Sequence, residues 1–388
     1  MARAALVVIL LVTGCTGAAA PVGVMRTPPS ASASAIAPPA TEPSPNPSPF
    51  VDLPPSRVDF SCRLPVTRST SGGDFVSYQG GFVTFPQGVW QPDPAGVISS
   101  GYVTADFFST TSPSLRGIPE TGPPFYDLAM KRWVPVGAGQ ASPDGARYAY
   151  GSLTASNRDS SLRIHVVDVR TASDREFTVP AITGFGAQIG ALVEDFDGAS
   201  VYFSSQQAQG PPLGVWRLDV ASGAVTELTS SAGIAAVRGG YAWVNRIDLR
   251  DPQGPQFPGI GGQHSNSVVR VDLATGEEMV WYYAKGNEVY FAGFDKSGDP
   301  IIANSWPPFA NGFLLIAFSP RGDVATVYDG SRQLWFGTAQ PDTSGRLWLG
   351  NDRGIYLYSP GSGLRKVFAI ANGPTTLEET IQPAGFCT

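Results

Sequence analysis

"GVWRLDVASGAVTEL", Gly214 to Leu228, spells a β-hairpin. Val215, Trp216, Leu218 and Val220 make a strand that is apolar on both faces. Asp219 offers its side chain to the backbone of the coming turn, and Gly223 supplies the positive φ that closes it. Val225, Glu227 and Leu228 then run back. The chain writes the same frame again as "SVVRVDLATGEEMVW" around Asp272, "LRIHVVDVRTASDREFTV" around Asp168 and "PFYDLAMKRWVPV" around Asp127. Weaker copies stand at "LLIAFSPRGDVATV" around Ser319 and "GIYLYSPGSGLRKVF" around Ser359. Consecutive marks from 127 to 359 lie 41, 51, 53, 47 and 40 residues apart.

A second turn and strand precedes each hairpin. "ASPDGARYAY", "VEDFDGASVYF", "AVRGGYAWV", "GFDKSGDPIIA" and "QPDTSGRLWLG" all place Gly at a turn before an apolar strand, and "SYQGGFVTFP" begins the series. Four short strands per unit at a period of about 45 residues are the mark of a propeller rather than a helical solenoid. Six such units predict an all-β, six-bladed β-propeller, with seven blades as the alternative if Cys62 to Tyr78 forms an additional sheet.

Composition agrees. The chain has 388 residues, net charge -6 and only 15% charged residues. Phosphate binding needs a basic surface, so nucleic acid is excluded as a partner. With 45 Gly and 35 Pro, turns are favoured over long helices.

The first residues, "MARAALVVILLVTGCTGAAA", carry a positive Arg3 and an apolar run from Ala4 to Gly14 that is too short to span a bilayer. Residues 1–14 therefore read as an export signal. Val12-Thr13-Gly14-Cys15 resembles the lipobox of bacterial lipoproteins, which implies that Cys15 is lipidated and anchors the chain to the outer face of a membrane. The alternative is cleavage after Ala18-Ala19-Ala20, leaving a secreted protein. Residues 15–55 are nearly all Ala, Pro, Ser and Thr; with few apolar side chains to offset the ordering entropy, they read as a disordered tether. The folded domain is assigned to residues 56–388.

Outside the cytoplasm the remaining thiols, Cys62 and Cys387, are expected to pair. The loop they close is long enough that chain entropy alone gives roughly 5 to 6 kcal/mol as an upper figure. Such a pair would clasp a ring whose last strand, in "TIQPAGFCT", completes the first blade beside "GGFVTFP".

Two stretches carry a family resemblance. "SPDGARYAY" with "LRIHVVDVRTASDREFTV", and "DGASVYFSS" with "GVWRLDVASGAVTELT", resemble the repeats of TolB-type six-bladed propellers. "DTSGRLWLGNDRGIYLYSPGSGLRKVF" is similar to the sensor propellers of two-component regulators. The resemblance implies the fold; propellers host unrelated activities, so it does not imply a reaction.

Insertions gather at the step between the second and third strands of a unit: Gln87 to Pro124, Thr154 to Ser161, Gln206 to Gly214, Arg246 to Ser267 and Pro307 to Gly312. Long loops on one face of a rigid scaffold form a binding surface. Trp90, Phe257, His264, Asn266, Trp306, Phe309 and Asn311 within them combine aromatic rings with amides, which suits a glycan, peptide or envelope-protein partner. No catalytic residue, metal or cofactor is assigned. Asp127, Asp168, Asp219 and Asp272 read as turn formers, and His165 as a packed strand residue. The function expected is a lipid-anchored binding module. The alternative is an enzyme of lactonase or sugar-dehydrogenase type with its site at the channel mouth.

Overall fold

The computed structural model describes residues 54–72, 75–100, 124–128, 130–155, 160–179, 189–207, 212–252, 254, 264–305, 313–318, 324–330, 339–370 and 378–388. The export signal, Cys15 and nearly all of the tether lie outside them. Among the described residues every element is a strand, apart from one 3-10 turn at Ala138–Gln140.

The chain first lays down β1 (Cys62–Gly72), β2 (Phe75–Phe85) and β3 (Val89–Ser100), then a two-stranded hairpin of β4 (Phe125–Asp127) and β5 (Arg132–Val134). A three-stranded sheet follows: β6 (Arg147–Ala155), β7 (Ser160–Asp168) and β8 (Asp174–Val179). Next come β9 (Ile189–Phe196), β10 (Ser200–Gln207), β11 (Pro212–Asp219) and β12 (Val225–Ala232), then β13 (Ile234–Arg238), β14 (Tyr241–Arg246), β15 (Ser267–Asp272) and β16 (Glu278–Tyr283). The last two units are β17 (Glu288–Phe294), β18 (Pro300–Ser305), β19 (Phe313–Phe318) and β20 (Val324–Gly330), and β21 (Gln340–Pro341), β22 (Leu347–Asn351), β23 (Gly354–Ser359) and β24 (Gly363–Ala369). Finally β25 (Glu378–Pro383) returns to pair with β1, giving the first sheet the order β25-β1-β2-β3.

This is an all-β propeller arrangement. The units bury apolar faces against their neighbours, as a stack of blades must. Ala149, Ile164 and Phe177 pack with Phe203 and Leu218 across one seam. Val215 meets Val244 and Val269 across the next, and Trp243 and Val268 meet Val289 and Ile302 across a third. Ile301 and Ala303 join Leu349 and Tyr356, and Trp348 and Ile355 join Leu64, Val83 and Ile381. Phe82 packs on Trp133 of the β4–β5 hairpin, which reaches the β6–β8 sheet through Arg132 Nη1 donating to the Val169 carbonyl at 2.7 Å. First strands face one another, as shown by the parallel bridge between Gly293 and Ala339, whereas last strands such as β12 are largely exposed. First strands are therefore innermost.

The expected six-bladed count is corrected. Among the described residues five sheets have four strands, one has three and one has two. The unit around Asp168 carries only a single bridge, Ala141 to Tyr148, where a fourth strand would lie. The unit around Asp127 shows a two-stranded hairpin among the described residues. Cys62 to Ser100 builds three strands of the first four-stranded sheet, which β25 completes. Gly80 and Gly81, read as a turn, lie inside β2, because a Cβ on either would enter the ring of Trp133 or Trp90. The segment Gln87 to Pro124, read as a loop, contains β3.

The two ends of the domain are joined as expected. Cys62 and Cys387 form a disulfide with Cα atoms 5.6 Å apart. The partner of the last strand differs: Glu378–Pro383 pairs with Val66–Ser71 of β1 rather than with "GGFVTFP" in β2. Arg63 N donates to the Thr388 carbonyl at 2.8 Å, extending the closure beside the disulfide.

Candidate functional site

The two edges of the stack differ in how strands are joined. Where the first strand turns into the second and the third into the fourth, Asp closes most of the described turns, though not those at Gly239-Gly240 and Ser359. Asp219 Oδ1 accepts from Ser222 N at 2.7 Å, Asp272 Oδ1 from Ala274 N at 2.8 Å and Asp168 Oδ1 from Thr171 N at 2.8 Å. Asp197, Asp295 and Asp342 do the same at the other set of turns. These hydrogen bonds favour the carboxylate, so Asp168, Asp219 and Asp272 sit below the ordinary carboxyl range. They are turn formers on separate sheets.

At the opposite edge the second and third strands are joined by connections of unequal length, and the longest, residues 247–266, leads to the candidate site. Its described ends are braced. Asn266 is fully buried; its Oδ1 accepts from Asp248 N at 2.6 Å and its Nδ2 donates to the Asp251 carbonyl at 3.2 Å. Asp248 holds Arg250 through Nε at 2.7 Å and Nη2 at 2.9 Å, which keeps its carboxyl below the ordinary range. The Arg250 guanidinium lies 4.1 Å from the centre of the Tyr283 ring. Gly254 adopts φ 62°, and a Cβ there would meet the His264 carbonyl at 2.8 Å, so the connection folds back onto His264.

His264 is thereby set at the seam between β13–β16 and β17–β20. Its Nδ1 donates to Glu288 Oε1 at 3.0 Å, and Ser305 Oγ donates to Glu288 Oε2 at 3.2 Å. The His264 and Glu288 side chains retain 17% and 20% of their exposure, enough for a small polar group to reach them. On the other face of the same strands, the buried Asn304 Nδ2 donates to Tyr282 Oη at 2.9 Å, and burial raises the Tyr282 hydroxyl above its ordinary range. Asn304 Oδ1, also buried, has no hydrogen-bond partner among the described residues. The imidazole, carboxylate and hydroxyl of His264, Glu288 and Ser305, brought together here, are equipped to bind a hydroxyl- or amide-bearing ligand.

Of the sequence-predicted residues, His264 and Asn266 come together here, with Asn266 engaged in holding the loop. Trp90 lies on β3 just after the short β2–β3 turn, packed over Gly81 with the Arg68 guanidinium 5.5 Å from its ring centre. It is not in a long connection and is on a different sheet from His264. Phe257, Trp306, Phe309 and Asn311 lie outside the described residues.

Sequence reading passed over Glu194. Along β9 the ladder steps from Asp195–Tyr202 to Val193–Phe203, leaving Glu194 as a bulge on an innermost strand. The same bulge recurs at Ala235 in β13 and Ala292 in β17. A carboxyl therefore replaces a methyl. Fully buried Ser204 donates its Oγ to Glu194 at 2.6 Å, and burial pushes this carboxyl up to about 7. Burial likewise raises its neighbour Asp195 to about 6. Aligning the repeats on their turns would have exposed the odd residue. Among the described residues no three His, Cys, Asp or Glu side chains gather as a metal site.

No protein-family model matches the chain, and no curated protein matches it. Solved structures do. TolB from Acinetobacter baumannii aligns over 84% of this chain and 65% of its own length, at 14% identity and TM-score 0.44. An oligogalacturonate lyase in complex with manganese aligns over 80% of each chain at 9% identity and TM-score 0.43. A streptogramin B lyase aligns over 82% of this chain and 86% of its own, at 10% identity and TM-score 0.37.

Proposed function

We propose that this protein is an extracytoplasmic binding module, anchored through a lipidated Cys15, that offers the edge bearing its long connections to a glycan, peptide or envelope-protein partner. The observation that carries the reading is the braced pair of ends of the 247–266 connection. They fix His264 against Glu288 and Ser305 while every repeated Asp turn lies at the other edge. A rigid scaffold with one irregular edge is the usual arrangement of a binding surface. We read the β4–β5 hairpin and the β6–β8 sheet as reduced blades, which makes a ring of seven units.

Two experiments test it. Fatty-acid labelling of cells should tag the wild type and leave Cys15→Ser untagged; an untagged wild type would remove the anchor. Glycan-array and pull-down screening of the isolated domain should yield a ligand whose affinity falls about tenfold in His264→Ala, the loss of one good hydrogen bond to a charged network. A ligand indifferent to that change would move the site elsewhere.

Glu194 favours a second reading, an enzyme with its chemistry near the innermost strands, because a carboxyl titrating near neutrality is suited to proton transfer. Stoichiometric metal or quinone in purified protein would favour that reading.

A further inference from the structure

The face of the β6–β8 sheet turned away from β9–β12 carries a line of side chains that the binding reading does not use. Strand alternation sends Ala149, Ile164 and Phe177 into the apolar seam, so Ser152, His165 and Asp174 share the opposite face. Register sets them on a diagonal: Tyr150 opposes His165, Ser152 opposes Arg163, and Asp174 opposes Val167. Ser152 Oγ lies 2.8 Å from His165 Nε2, and His165 Nδ1 lies 2.9 Å from Asp174 Oδ2. Tyr150 stacks on the imidazole, 4.5 Å between centres and 3° from parallel, and donates its hydroxyl to Asp174 at 3.4 Å.

These contacts fix roles. Asp174 accepts the proton on Nδ1, so Nε2 of the neutral ring is the acceptor and Ser152 donates to it. The stacked Tyr150 keeps the ring in that plane. An alcohol held against a base, with the base oriented by a carboxylate, is the arrangement of an activated oxygen nucleophile. The β4–β5 hairpin facing this side has strands of only three residues, and Ser152 is only partly covered.

We propose that Ser152, His165 and Asp174 form a nucleophilic relay that hydrolyses short-chain O-acyl esters. Ser152 Oγ attacks the ester carbonyl carbon while its proton passes to His165 Nε2. The carbon–alkoxide bond breaks and the leaving alkoxide takes that proton. Water then attacks the acyl-serine, giving up a proton to Nε2; the Ser152 oxygen regains it, and the carboxylic acid departs. Asp174 stabilises the imidazolium in both halves. Arg163, directly across from Ser152 and paired with Glu176, places a cation on the same face. A short acyl group fits a site flanked by this ion pair, where a long one would desolvate the charges. This activity stands apart from the His264 edge, and neither depends on the other.

The test uses the intact domain. A fluorophosphonate probe should modify the wild type at Ser152, located by fragment-ion mass spectrometry. Hydrolysis of p-nitrophenyl acetate should fall about 100-fold or more in Ser152→Ala and His165→Gln, the usual worth of a positioned base. Asp174→Asn should lose at least tenfold in kcat with KM little changed. A folded wild type that stays unlabelled at Ser152, or a Ser152→Ala variant that hydrolyses the ester at the wild-type rate, overturns the proposal.

Discussion

The edge of Asp turns and the seam around His264 are built from similar polar residues and behave differently. At the turn edge one device is repeated: an Asp oxygen takes up backbone N–H groups two or three residues ahead, at Asp168, Asp197, Asp219, Asp272, Asp295 and Asp342. At the seam the repeated device is missing; His264, Glu288 and Ser305 serve each other instead. Glu194 teaches the same lesson on an innermost strand, where equivalent bulges hold alanine. In a repeat protein a recurring polar residue is part of the scaffold, and one that departs from the repeat is a candidate for work.

Several changes break or sharpen that contrast, the largest first. Replacing Cys62 and Cys387 by Ser releases the closure next to the turn edge. Loss of a native disulfide costs about 2 to 5 kcal/mol, so calorimetry should show the deepest fall in Tm of any variant here. Gly223 holds φ 77°, and a Cβ there would meet only ordinary contacts with Phe177, so Gly223→Ala should cost about 1 to 2 kcal/mol through backbone strain alone.

Glu194 is tested by pH. Its carboxyl is raised from 4.5 to about 7, so the folded state holds a proton that the unfolded chain has released. The resulting stability is fully present below pH 4.5 and is lost as pH rises through 7. Glu194→Gln keeps an acceptor for Ser204 and removes the buried charge. Its Tm should exceed the wild type's by about 2 °C at pH 8 and match it at pH 5; equal melting at both values would mean the carboxyl is well solvated.

His264→Ala should cost about 1 kcal/mol by leaving the largely covered Glu288 without its imidazole partner, while weakening ligand binding. A large loss of stability there would make the seam scaffold after all. Asp219→Ala and Asp272→Ala should each give a small fall in Tm, equal for the two, because the exposed turns are equivalent.

The repeat itself was readable because the same Asp-and-Gly turn chemistry is written between apolar strands, and the sulfur clasp because only two thiols remain after Cys15. The first sheet was not readable. Glycine normally signals a turn, yet Gly80 and Gly81 are mid-strand, where the Trp133 and Trp90 rings occupy the space a side chain would need. Those rings arrive from residues far along the chain or across the strand, so no local pattern announces them. His165 was similarly hidden: a histidine inside an apolar strand reads as packing until register sets Ser152 and Asp174 on either side of it.

Because β25 is the innermost strand of the first sheet and is made after all the other described strands, the first three strands wait for their neighbour while every other sheet is translated. Until it arrives, β1 exposes an unpaired backbone edge, a template for joining another chain. A nascent or truncated copy ending before Glu378 should therefore be sticky, and full-length chains should be the first ones to stay apart.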